Sequence, residues 1–128
     1  ESVWVVDPGE AGETVTEFLI AYGYRAELLA PDAARRQLDT WPDNAPELIL
    51  LHVGPSAARA LSLAETARSR HPATRILLLA SAGSPPAIRA ALSLGHANAC
   101  IEKSASPARL LETVQALLKP GDARPSAY

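Results

Sequence analysis

The chain alternates short, nearly continuous apolar runs with longer stretches in which apolar residues recur every three or four positions. The first run, Ser2-Val3-Trp4-Val5-Val6, reads as a strand and stops at Asp7-Pro8-Gly9. Over 13–22, Val15, Phe18, Leu19 and Tyr22 form one helical stripe, and Gly23 supplies a C-terminal stop. A weaker strand follows over 25–29. Pro31 suits the first turn of a short helix carrying Leu38 and Trp41. The run Leu48-Ile49-Leu50-Leu51-His52-Val53 is the strongest strand signal, continuous enough to be buried on both faces.

The second half repeats the alternation. Ser56 is placed to cap a helix with the stripe Ala57, Ala60, Leu61, Ala64 and Ala67. The run 76–80 is another buried strand. A helix opens at Pro85-Pro86, carries Ile88, Ala91 and Leu92, and stops near Gly95. A short strand is expected over 97–101. Ser106 and Pro107 then give a cap and first-turn proline to a last helix with Leu110, Leu111, Val114, Leu117 and Leu118, which Pro120 ends. Five strand–helix units in strict alternation predict an α/β fold: a flavodoxin-like, doubly wound, five-stranded parallel sheet of (βα)5 type. The expected domain covers 1–119, and 120–128 read as a linker or tail to an effector region beyond this sequence.

Composition narrows the function classes. With 128 residues, 48% of them hydrophobic, the chain can bury one sizeable core, and 20% charged residues argue against disorder. The formal net charge of -2 gives no basic footprint, so direct nucleic-acid contact and binding to an anionic membrane are not expected. No apolar stretch reaches the length of a membrane span. The lone Cys100 cannot form an internal disulfide, which fits a reducing compartment and a cytoplasmic location. The chain contains no methionine, which reads as a piece of a longer protein.

In open parallel sheets, sites form at the carboxyl ends of the strands. Here those ends are Asp7-Pro8, His52-Val53-Gly54, Ser81-Ala82 and Glu102-Lys103. This set resembles the receiver domains of two-component response regulators, over nearly the whole chain from Val3 to Leu118. That resemblance implies an acidic pair after the first strand, a phosphoryl-accepting aspartate after the third, a hydroxyl after the fourth and a Lys-Pro after the fifth. The chemistry needs magnesium and the lysine to compensate the charge of a transferring phosphoryl group.

The chain keeps only part of this pattern. Asp7 matches the first acid, but Pro8 replaces the second. His52 stands at the acceptor position. Ser81 matches the switch hydroxyl and Lys103 the lysine, with Ser104 where proline is usual. Cys100 occupies the position of the switch aromatic. The resemblance therefore implies a degenerate pseudo-receiver.

Each residue also has a plainer reading. His52 can fill the vacated polar pocket, hydrogen-bonded to Asp7 or Ser81. Asp7 can pair with Lys103, and Ser81 can cap the following helix. Cys100 can be a small buried hydrophobe. His71 and His96 read as surface loop or helix-end residues without a role. No metal site is expected. One carboxylate leaves magnesium short of hard oxygen ligands, and Asp7 with His52 falls short of a zinc set, so magnesium binding should be weak or absent.

The functional expectation is a phosphorylation-independent signalling module that works by protein interaction or dimerisation and controls an output domain, such as a DNA-binding one. It has no catalytic residues, because no nucleophile and base pair at a credible spacing. The under-charged surface from Ile88 through Ala91 to Leu94, continuing to Leu118, is the candidate interface for a protein partner or a homodimer. The alternative is a flavodoxin-like small-molecule-binding regulatory domain. Cobalamin does not suit it, since the histidine follows the third strand, Leu50 stands two before it and Gly54 comes too soon.

Overall fold

A computed structural model of the chain describes residues 2–6, 11–40, 46–53, 57–80, 86–102 and 105–118. The elements run β1 Ser2–Val6, α1 Ala11–Ala21, β2 Arg25–Leu29, α2 Pro31–Thr40 and β3 Leu48–Val53, then α3 Ala57–Arg70, β4 Arg75–Ala80, α4 Pro86–Ser93, β5 Ala99–Glu102 and α5 Pro107–Leu118. All strand pairs are parallel, and the order across the sheet is β2-β1-β3-β4-β5. The chain starts near the middle, winds to one edge, returns past β1 and proceeds to the other edge. This is the doubly wound arrangement that the alternation predicts.

The period-two alternation of strands divides the core into two layers. Trp4, Val6, Ile49, Leu51, Val53, Ile76, Leu78 and Ala80 face α2, α3 and α4, where they meet Leu38, Leu63, Ala64, Ala67 and Ile88. Val3, Val5, Leu48, Leu50, Leu77, Leu79 and Ile101 face α1 and α5, where they meet Leu19, Leu110 and Val114. β3 and β4 lie in the interior of the sheet and are covered on both sides, which is why their sequences are nearly unbroken apolar runs. Each fully buried Leu or Ile contributes about 1.5–3 kcal/mol relative to exposure.

The helix ends follow local chemistry. Gly23 (φ 94°) and Gly95 (φ 80°) both adopt the left-handed conformation. At α1 the Tyr24 N–H donates to Leu19 O and the Gly23 N–H to Ile20 O; at α4 the His96 N–H donates to Ala91 O and the Gly95 N–H to Leu92 O. These paired bonds are the Schellman pattern. Ser106 caps α5, its Oγ accepting from the Arg109 N–H at 3.2 Å.

Several boundaries and burials differ from expectation. α1 opens two residues early, at Ala11. The α3 stripe is turned so that Leu63, Ala64 and Ala67 are buried while Ala60 and Leu61 are half-buried beside them. β5 starts at Ala99 rather than at 97 because Asn98 pairs with Ile76 through its side chain. Its Oδ1 accepts the Ile76 N–H at 2.8 Å, while its own N–H donates to Ile76 O. The same Oδ1 accepts from Arg68 at 2.6 Å, tying the end of α3 to the base of the sheet. His71 is buried, not on the surface: it sits in the turn after α3, with its N–H donating to Ala67 O and its carbonyl accepting from Thr74. Trp41, Ser56 and Pro85 lie outside the described residues, as does the expected boundary between 119 and 120.

Candidate functional site

The sheet register shows how its carboxyl edge is built. Val6 of β1 is level with Leu51 of β3, so β3 extends two residues further. His52 is level with Leu79 of β4, and Val53 with Ala80. Ala80 is in turn level with Glu102, the last residue of β5. β1, β3, β4 and β5 therefore end along one edge, and the residues that follow their ends in the sequence are Asp7, Gly54, Ser81 and Lys103. Asp7, Pro8, Ser81 and Lys103, with Ser104, lie outside the described residues. Among the expected site residues, His52 and Cys100 are described.

His52 is half-buried at the end of a strand whose other residues are fully buried. By alternation it shares the α1 and α5 side of the sheet with Leu48 and Leu50. Its placement follows from the sequence: five apolar residues of the strand drive its burial, and the polar imidazole takes the position nearest the solvent edge on its face.

Cys100 lies level with Leu78 and is half-buried against the layer formed with α2, α3 and α4. It therefore belongs to the opposite face from His52, and the two cannot act as nucleophile and base. Burial pushes the thiol's pKa above its ordinary value, and the Glu102 carboxylate pushes it the same way. Its Sγ lies 3.9 Å from Ile101 O. A thiol so disposed is a poor nucleophile.

His52 places an imidazole, a poor ligand for magnesium, near the carboxyl end of β3, and Asp7, the other residue expected at a metal site, lies outside the described residues. Among the described residues no three His, Cys, Asp or Glu side chains cluster. No helix among them is long and apolar enough to cross a membrane.

The candidate interface needs correction. Ile88 and Ala91 are 4% and 5% exposed and belong to the inner side of α4, so they pack into the core rather than face a partner. The stripe that marked α4 as a helix is the stripe that the sheet buries. Leu118 is half-buried against the α1 and α5 layer. The outward residues of α4 and its C-terminal turn are Arg89, Ala90, Ser93 and Leu94, and Leu94 is 70% exposed. Two other large apolar side chains are exposed elsewhere, Ile20 and Tyr22, at the end of α1. Tyr22 rests against Phe18, with ring centroids 4.9 Å apart. Arg75, Arg68 and Asn98, which knit the opposite end of the sheet, carry no signal in sequence spacing.

No protein-family model matches the sequence, and no curated protein matches it either. Solved structures do. The receiver domain of a signal transduction histidine kinase from Syntrophus aciditrophicus has a TM-score of 0.77 at 21% identity, over 99% of this chain and 96% of that one. A CheY-like response regulator receiver domain protein from Methanospirillum hungatei JF-1 has a TM-score of 0.74 at 23% identity, over 92% and 93%. NtrX from Brucella abortus, in complex with ADP, has a TM-score of 0.76 at 23% identity, covering 91% of this chain but 26% of its own. This chain thus spans about a quarter of NtrX. At these identities the likeness establishes the fold, a CheY-type receiver fold, with the sheet order described above.

Proposed function

We propose that this chain is a receiver-type signalling domain that works without an aspartyl phosphate. It acts through contact with a protein partner or a second copy of itself, in the cytoplasm, and controls an output region such as a DNA-binding one. The observation that carries this reading is His52, which occupies the carboxyl end of β3 on a receiver fold. An imidazole there removes the carboxylate nucleophile and a hard oxygen ligand for magnesium together. Pro8 removes a second ligand at the level of the sequence.

Without a phosphoryl trigger, the signal must reside in an equilibrium biased by association or ligand binding. The domain performs no reaction of its own, contacts no nucleic acid directly and needs no cofactor. Its partner face includes the outward side of α4 centred on Leu94, with Ala90 and Ser93, in place of the buried Ile88 and Ala91. An exposed leucine flanked by small residues supplies apolar area with little side-chain entropy to lose. Intact-mass measurement after exposure to a small phosphodonor and magnesium tests the reading.

A further inference from the structure

A strand at the edge of a sheet leaves alternate backbone N–H and C=O groups without a ladder partner on its outer side. β2 is such a strand. It pairs with β1 from Arg25 to Leu29, and among the described residues no strand lies on its other side. Its two faces differ in character. Ala26 and Leu28, with Tyr24 just before them, are half-buried against the α1 and α5 layer. Arg25 and Glu27 are exposed on the opposite face.

Like charges set opposite one another across two strands destabilise their pairing, so an edge of one sign is protected from its own copies. β2 has no such protection, because it carries one charge of each sign with Ala26 between them. In an antiparallel pairing with its two-fold axis at Ala26, Arg25 meets Glu27 of the second copy, and Glu27 meets that copy's Arg25. On the other face Tyr24 meets Leu28, and Leu28 meets Tyr24, an aromatic–aliphatic pairing of the kind that stabilises sheets. Parallel pairing in register would set Arg25 against Arg25 and Glu27 against Glu27. A slip of one residue would set the charged face against the apolar one. Charge and apolar pattern therefore select the same register.

We infer that the outer edge of β2 is a docking surface for a second copy of this chain, joined through an antiparallel β2–β2 ladder that continues two sheets into one. The contact is isologous, the same patch serving on both copies. β2 and β5 are the two edges of the sheet and α4 leads into β5, so this contact is separate from the α4 face and independent of any phosphoryl chemistry.

The test uses the full 128-residue chain carrying Leu94→Glu, so that the α4 face does not contribute to association. Sedimentation across concentration should show a concentration-dependent dimer. Arg25→Glu and Glu27→Arg each set like charges opposite one another twice, and each should weaken the dimer by about tenfold or more. The double variant, Arg25→Glu with Glu27→Arg, restores opposite signs and should return to within about threefold of the parent. In a Cys100→Ser background, Ala26→Cys should form an intermolecular disulfide on mild oxidation, because directly opposed Cα atoms of antiparallel strands lie about 4.5–5.5 Å apart, within disulfide reach. Ser69→Cys, exposed on α3, should cross-link more slowly. Should Ala26→Cys not fold, the charge series decides alone. A monomer at every concentration, single and double charge variants that associate alike, or cross-linking of Ala26→Cys no faster than of Ser69→Cys would overturn the β2 contact. A phosphoryl adduct on wild type would overturn the functional reading and leave these readouts as they are.

Discussion

His52 stands beside Leu79 in the parallel ladder of β3 and β4, one step before Val53 and Ala80 end it. An imidazole at this height lies on the edge where open parallel sheets form their sites, on a strand buried by core layers on both faces. On the reading proposed above, His52 stands in place of the phosphoryl acceptor on this scaffold. The consequences of that replacement can be measured separately from those of the fold.

Restoring the acceptor alone should not restore metal binding. His52→Asp supplies a carboxylate but leaves Pro8 where magnesium lacks another oxygen. The double variant with Pro8→Asp is expected to bind magnesium at least about tenfold more tightly than His52→Asp, a difference of about 1.4 kcal/mol. Calorimetric titration of the two variants checks this. Equal affinities would show that Pro8 is not what limits the metal.

The corrected burial of α4 separates core from interface. Ile88→Glu places an unpaired charge in the packed layer beneath α4 and is expected to cost about 4 kcal/mol or more, read by urea denaturation. Leu94→Glu, on an exposed side chain, should leave stability within about 0.5 kcal/mol of wild type. Its expected effect is on association: sedimentation across concentration should show wild-type self-association reduced in Leu94→Glu and retained in Ile20→Glu. The reverse pattern would move the interface to the end of α1.

Cys100 should react slowly. A thiol whose pKa is raised keeps its proton to higher pH, so the folded protein holds less thiolate at pH 7–8 than an ordinary cysteine with pKa about 8.5. Alkylation by iodoacetamide is expected to be slower in the folded chain than in denaturant at the same pH. The same sign means that folding stability falls as pH rises past the ordinary cysteine range, because the unfolded thiol loses its proton first. An alkylation rate in the folded state equal to or above that in denaturant would contradict this placement.

Much of the fold was legible because it rests on local signals. Gly23 and Gly95 each end a helix by taking positive φ, and Ser106 starts one with a hydroxyl cap. The runs in β3 and β4 announce burial on two sides. The readings that failed depended on packing across the fold. The stripe of Ile88 and Ala91 does not by itself say whether the sheet or a partner covers it, and here the sheet does. His71, next to Pro72, looks like a loop residue, yet the turn folds it inward and leaves it buried. Asn98 and Arg75 act through bonds spanning 22 and 42 residues, which no local pattern encodes. Of the candidate site, the order of strand ends was readable, and so was the position of His52 on β3. Asp7, Ser81 and Lys103, expected beside that histidine, lie outside the described residues.

The central claim is that this receiver fold carries no phosphoryl acceptor, and its most direct test is intact mass. The chain should be incubated with acetyl phosphate or phosphoramidate and excess magnesium, quenched at neutral pH and measured beside a receiver that keeps its aspartate. The account predicts an unmodified mass for this chain and a phosphoryl adduct on the control. A stable, stoichiometric adduct mapping to this domain, at His52 or elsewhere, would contradict it.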